Sequence, residues 1–500
     1  TCIQREEYQK ALIYLDKLLK INPSNLAANA LTVTILYNQG NWEECRHYCN
    51  KAIEIFPEYA YAYITRGVCN KKLGFNQLAK ADIEKSLEFY PNYPFALNEL
   101  GVFYMMDNQM DKSIPIFKRA IEINPDFDWA YYNMGYAFLS MQEPDSTLKY
   151  YNKALEVNPN FIVVYSGRGD MYFEKKNFSK AIDDYSKCIA LNPDNMYYYY
   201  NRSNSYYYNG NFDEAINDLK KIVEVDSKNL AVFEKFGDCF VAKKEYPKAI
   251  EYYTKIVETK KDYDLAYAKR AEAYLNMGES KKALKDCEKS IQLNPNNFYY
   301  YAIRGNTYTL KGNFTSAILD FKKSIQMNSQ FGYSYQRLGD CYSFSKDYVN
   351  AIVYYGKAIE LDSSYYALYA RGMVYYEMKT YDSAISDFLQ SIKISPDFAP
   401  SLGNLGWVYY LKDDFQNCIA YSKRAVKEDD DAFYAKFNIA LATLRLGNFE
   451  EAKSLYNTYY LESKAKNQNV SGAISDLNDL IAKGIMTEQA RYIIENIFKK

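Results

Sequence analysis

A 34-residue period runs through this chain and limits its fold more than any other feature. Stretches beginning at Leu26, Ala60, Pro94, Asp128, Ile162, Met196, Leu230, Asp264, Phe298 and Gly332 follow one another at that step. The step shortens by one before Tyr365 and resumes at Ala399 and Phe433. Fixed self-similarity of this length signals a stack of like units, each resting on its neighbours rather than folding around a private core. Phe298 to Ser329 shows the unit most clearly. Its apolar spacing has the 3.6-residue period of two amphipathic helices, broken by a turn at Lys311-Gly312-Asn313.

Numbering each repeat from 1 to 34, position 8 is small in the twelve repeats after the first, which has Val33 there: Gly67, Gly101, Gly135, Gly169, Ser203, Gly237, Ala271, Gly305, Gly339, Gly372, Gly406 and Ala440. Gly305 and Ala317 (position 20) facing Tyr301 and Phe321 let two antiparallel helices approach closely. Position 32 is Pro at Pro57, Pro91, Pro125, Pro159, Pro193, Pro295 and Pro396. This pattern resembles the tetratricopeptide repeat over residues 1–465. The resemblance implies an all-α solenoid, a right-handed superhelix of about thirteen helical hairpins, with first helices lining the inner surface and second helices the outer. The expected division is a partial repeat over 1–25, thirteen repeats over 26–465 and capping helices over 466–500.

Residues 1–23 match positions 10–32, with Tyr8 at 17, Ala11 at 20 and Pro23 at 32, so the chain reads as beginning inside a first helix. Either it is a piece of a longer protein, or Cys2 is the acylated residue of a bacterial lipoprotein. At the other end the period is lost near Lys464. A helix through Ile474, Leu477, Leu480 and Ile481 should stop near Gly484. Thr487 should cap a last helix bearing Ala490, Ile493, Ile494, Ile497 and Phe498, which covers the end of the final repeat.

Little in the chain points to catalysis. His47 is the sole histidine, which excludes a catalytic triad or a multi-histidine metal site. Cys45 and Cys49 flank it at the buried hairpin positions 20 and 24 and read as packing residues. No phosphate loop, nucleophile elbow or paired catalytic carboxylate occurs. The reading is therefore a non-enzyme without cofactor or metal. With 61 Lys and Arg against 62 Asp and Glu, the chain lacks the basic surface that general nucleic-acid binding requires. No apolar run approaches the roughly 18 residues of a transmembrane helix. Nine cysteines without a pairing logic favour a reducing, cytoplasmic compartment; a membrane-anchored lipoprotein of a bacterial envelope is the alternative.

Two further patterns emerge when the repeats are laid over one another. Position 7 is Arg at Arg66, Arg168, Arg202, Arg270, Arg304 and Arg371. Position 23 is Asp in the same six repeats and in no other full one: Asp82, Asp184, Asp218, Asp286, Asp320 and Asp387. In a hairpin turning near position 15 these sites lie at one level, which predicts six partly buried ion pairs.

The second pattern is a stripe at position 9, formed by Asp170, Asn204, Asp238, Glu272, Asn306 and Asp340, alongside aromatic residues at position 2: Tyr61, Phe95, Trp129, Tyr197, Tyr299, Tyr333, Tyr366 and Tyr434. In the tetratricopeptide family this face lines the peptide groove. The resemblance implies a protein-interaction scaffold whose partner is a protein or extended peptide. A neutral or basic peptide fits better than an acidic one, because the stripe holds four carboxylates and no cation. Packing of rings between repeats is the structural alternative. A regulatory arm of a longer enzyme, and a lipoprotein acting in envelope assembly, are the alternatives for function. The inner ladder resembles that of the O-GlcNAc transferase repeats, except that only Asn133, Asn201, Asn404 and Asn438 stand at position 6.

Overall fold

Every repeat folds as a helical hairpin with the same turn. In the repeat used above, helices Phe298–Leu310 and Phe314–Met327 flank Gly312, whose φ is 72°. Position 15 takes this left-handed conformation in all thirteen repeats, at Gly40, Gly74, Gly210, Gly278, Gly312 and Gly447, but also at Asn108, Gln142, Lys176, Lys244, Lys346, Lys379 and Asp413. Glycine enters that region at no steric cost, whereas the other side chains are held there by the packing of the two helices. The one-residue deletion before Tyr365 is absorbed between repeats. Helix Tyr348–Asp362 runs one residue longer than the second helices of every other repeat but the last, and Ser363, left-handed at φ 47°, leads directly to the capping residue Ser364.

The computed structural model describes residues 2–499, with side chains from residue 7 onward. The Cys2 side chain therefore lies outside the described ones. All elements among the described residues are helices, and none is long and apolar enough to cross a membrane. Two compact units divide the chain, residues 1–228 and 229–500. The first comprises helix Cys2–Ile21 and six hairpins. The second comprises seven hairpins followed by helices Ser471–Ala482 and Thr487–Ile493 and a π-helical turn at Ile494–Phe498.

Close approach at position 8 holds each hairpin together. A Cβ on Gly237 would stand 2.3 Å from the Tyr253 ring, and one on Gly101 would stand 2.5 Å from Phe117, so the position-24 ring occupies the space a side chain would need. At the C-terminus, Ala473, Leu477, Leu480, Ala490, Ile493, Ile494, Ile497 and Phe498 form one core with Phe437, Leu441, Leu444 and Tyr456 of the last repeat. The terminal helices thus cover the end of that repeat. Thr487 does not cap them: it is the first helical residue, and Met486 precedes it at a φ of 48°.

The expected first-helix remnant at the N-terminus is absent, because residues 2–21 form one uninterrupted helix. The register places a turn near Glu6, but Arg5-Glu6-Glu7 are good helix formers with no turn residue among them. Pro115 lies inside helix Met110–Ile123 without ending it.

All six Arg–Asp pairs form. Each is bidentate, with the Asp buried: Nε and Nη2 of Arg304 donate to the two Asp320 oxygens at 2.8 Å, and those of Arg371 to Asp387 at 2.7 Å. The position-11 ring lies 6.0 Å from the guanidinium in Arg168/Tyr172, Arg270/Tyr274 and Arg371/Tyr375. Three of the seven repeats lacking the pair fill the same seam with rings stacked within 5° of parallel. Tyr at position 23 lies parallel to the aromatic at position 11 in Phe138/Tyr150, Tyr342/Tyr354 and Tyr409/Tyr421, at 5.4 to 5.6 Å. One site accepts two chemistries because both bring a planar group beneath the position-11 ring.

Candidate functional site

In the first unit, the first helices present the predicted aromatic face. Trp129 and Tyr197 are 46% and 52% exposed. Phe95 and Trp129 line a hollow of about 400 Å³, and Asp170 lines another of about 330 Å³ with Tyr132, Tyr136 and Tyr198. Asp170 is not free, since the Tyr185 hydroxyl donates to it at 2.6 Å. Burial and that bond push the Tyr185 hydroxyl above its ordinary range. Tyr61 is bonded through its hydroxyl to Thr34 at 2.9 Å. Asn204 Oδ1 is buried and has no donor among the described residues.

In the second unit the same stripe is closed off more thoroughly. Asp238 accepts from Tyr253 Oη and from Lys269 Nζ, both at 2.8 Å. Lys269 also reaches Glu234, which accepts from Tyr263 Oη as well. Burial pushes Glu234 up, but these donors outweigh it and its pKa sits below the ordinary carboxylate value. Asp340 accepts from Tyr355 at 2.7 Å and from Arg337 at 3.0 Å. Glu272 accepts from Tyr299, and Asn306 donates to the Tyr333 hydroxyl, each at 2.9 Å. Burial pushes the pKa values of both Glu272 and Asp340 upward.

These contacts correct the sequence reading in one respect. The stripe is not an open row of negative charge: each of its four carboxylates accepts a tyrosine hydroxyl, and two also meet a cation. Three of those tyrosines, Tyr185, Tyr253 and Tyr355, stand at position 24 of the same repeat as the Asp. The other, Tyr299, is a position-2 ring of the following repeat, as is Tyr333. The position-2 rings Tyr333 and Tyr366 remain 37% and 38% exposed.

A further hollow on the first-helix surface of this unit was not anticipated. It measures about 570 Å³ and is bounded by Tyr369, Tyr376, Trp407, Tyr434 and Phe437, with Asp476 contributed by the capping helix Ser471–Ala482. These rings occupy positions 2, 5, 9 and 12, the groove register. Trp407 is fixed by donating Nε1 to Tyr376 Oη at 3.1 Å and by stacking on Tyr410 at 5.2 Å. Burial, with Asp479 adding, pushes the Asp476 carboxyl up to about 6.

The cysteines at positions 20 and 24 are packed inside the seam, and His47 between them is exposed. A hydrogen bond with Cys49 and burial push the Cys45 thiol upward, which disfavours the thiolate.

Profiles of the tetratricopeptide repeat match residues 96–127, 129–161, 162–195, 200–264, 265–297, 298–331, 332–365, 365–398 and 399–431. Among solved structures, the chain is similar to one in the Cut9–Hcn1 hetero-tetramer of the APC/C, with 15% identity, 88% of this chain and 94% of that one covered, and a TM-score of 0.43. A tetratricopeptide repeat protein from Parabacteroides merdae is 22% identical over 49% of this chain and 97% of its own, with a TM-score of 0.39. The protein MamA is 26% identical over 32% of this chain and 94% of its own, with a TM-score of 0.29. No curated protein matches the chain.

Proposed function

This chain belongs to the tetratricopeptide-repeat family, and from that premise we propose that it is a non-enzymatic scaffold holding an extended polypeptide against the first helices of its units. The observation that carries this reading is that three ring-edged hollows lie on first helices, whereas one of about 840 Å³ is lined mainly by charged and polar residues of the second helix Ser280–Leu293. Those of 400 and 330 Å³ in the first unit and of 570 Å³ in the second are lined mainly by first-helix residues, with partly exposed rings at their edges. Phe95, Trp129 and Tyr197 serve the first unit in this account, and Tyr299, Tyr333 and Tyr366 the second. The rings grip apolar groups of the polypeptide. Asp170, Asp238, Glu272, Asn306 and Asp340 act mainly by orienting those rings and the helices beneath them, because each is already hydrogen-bonded to a tyrosine within the protein.

The test is selection of twelve-residue peptides from a random library on the immobilised chain, followed by hydrogen-exchange mapping of the selected peptides. Protection should fall on helices Gly332–Phe344, Tyr365–Glu377 and Ala399–Leu411. Tyr333→Ala combined with Tyr366→Ala should weaken capture about tenfold or more, the equivalent of losing one ring contact or two. Protection of second helices, or unchanged capture by a folded double variant, would place binding elsewhere.

A further inference from the structure

At the C-terminal end of the second unit the groove register changes character. Position 9 of the preceding repeats carries Asp340 and then Met373; here it carries Trp407, and a carboxylate returns from outside the repeats as Asp476. That carboxylate borders the 570 Å³ aromatic hollow and has no hydrogen-bond or ion-pair partner among the described residues. Cations at this end of the unit are engaged elsewhere. Arg445 is 2.8 Å from Asp413 and lies over Phe415, Lys436 holds Asp430 and Glu462, and Lys466 holds Asp430 and Asp431.

A half-buried carboxylate beside ring faces is costly when nothing opposes its charge. An apolar guest would bury it further without a donor, and an anion would be repelled. A guanidinium or ammonium group satisfies both halves of the site, since the ring faces attract it and the carboxylate takes its N–H groups.

We propose that this hollow receives a cationic side chain, arginine or lysine, projecting from a polypeptide; the source of that side chain rests on the scaffold reading, whereas the cation site rests on the hollow itself. The groups facing Asp476 are Asp479 on its own helix, Tyr410 from Ala399–Leu411 and Tyr456 from Phe449–Ala465; Arg445, from Phe433–Arg445, lies over the Tyr410 ring and pairs with Asp413. Both tyrosines are pushed above their ordinary range by burial and stay neutral at physiological pH. Loss of the Asp476 charge on acidification is therefore expected to weaken the site.

The probes are N-acetyl-Ala-Arg-Ala-amide and its citrulline counterpart, titrated calorimetrically into the full chain at pH 7.5 and 5.0. Arginine should bind about tenfold or more tightly than citrulline at pH 7.5, corresponding to about 1.4 kcal/mol. The preference should shrink at pH 5.0. Asp476→Asn should abolish it while leaving helicity intact, and Trp407→Leu should weaken the arginine probe. Equal binding of both probes, binding of neither, or a preference that survives Asp476→Asn overturns the proposal. The two readings fail separately. If library-selected peptides still protect first helices but are indifferent to citrulline, the cation site falls and the scaffold stands. If the arginine probe binds while no long peptide protects those helices, the reverse holds.

Discussion

Among the buried and half-buried carboxylates of the second unit, two kinds of surroundings stand out. Between Leu230 and Tyr355 they are closed: Glu234 and Asp238 share Lys269, Asp340 meets Arg337 and Tyr355, and Asp286 and Asp320 are each gripped by an arginine. At the capped end, Asp476 borders an aromatic hollow with no such partner. Register alone does not separate the two cases, because the stripe residues stand on the groove face and are nonetheless engaged from within. Whether a carboxylate can serve a ligand depends on what its neighbours have already supplied.

Stripping a closed carboxylate of its cation should have the largest effect. Arg270 and Asp286 are 15% and 6% exposed in their side chains, so Arg270→Met should cost about 3 kcal/mol in chemical unfolding, at the lower end for a buried pair. Replacing both, Arg270→Leu with Asp286→Tyr, copies the Leu338/Tyr354 seam of a neighbouring repeat and gives Tyr274 a ring to stack on. Most of the loss should be recovered; a double variant no more stable than the single one would break the equivalence of the two seams. Lys269→Met leaves Glu234 and Asp238 facing each other without their shared cation and should cost about 1–3 kcal/mol by the same measurement. Tyr253→Phe removes one hydroxyl from Asp238 and should cost about 1 kcal/mol. Asp476→Asn, at the open end, should not destabilise the protein at neutral pH at all.

The repeats made much of this visible beforehand. Thirteen copies in one chain act as their own comparison set, so Arg at position 7 and Asp at position 23 could be seen to appear and vanish together. The same comparison would have shown that Asp170, Asp238 and Asp340 each have a tyrosine 15 residues on, at Tyr185, Tyr253 and Tyr355. That pairing is the signal that the stripe is partly structural. Asp476 could not be found this way. It lies beyond the period, and its place beside Trp407 depends on how the capping helix docks, which no repeat duplicates. At the other end the period misled, because Tyr8, Ala11 and Pro23 keep the repeat pattern while Arg5-Glu6-Glu7 supply no turn.

Glu234, closed by Lys269 and Tyr263, and Asp476, which has no such partner, have opposite consequences for stability against pH, whereas burial raises the pKa of the closed Asp340 in the same direction as that of Asp476. Glu234 is held below its ordinary value, so its contribution is present above that value and is lost as pH falls. Asp476 is raised from 3.8 to about 6, so its ionisation weakens the fold progressively between those values. The deciding measurement is the denaturant midpoint of the wild type, Glu234→Gln and Asp476→Asn across pH 3.5 to 7.5. Glu234→Gln should be less stable than wild type at pH 7.5, with the gap closing towards pH 3.5. Asp476→Asn should match wild type near pH 3.5 and become the more stable protein above about pH 6. Gaps of the same sign, or gaps that do not change with pH, would contradict the account.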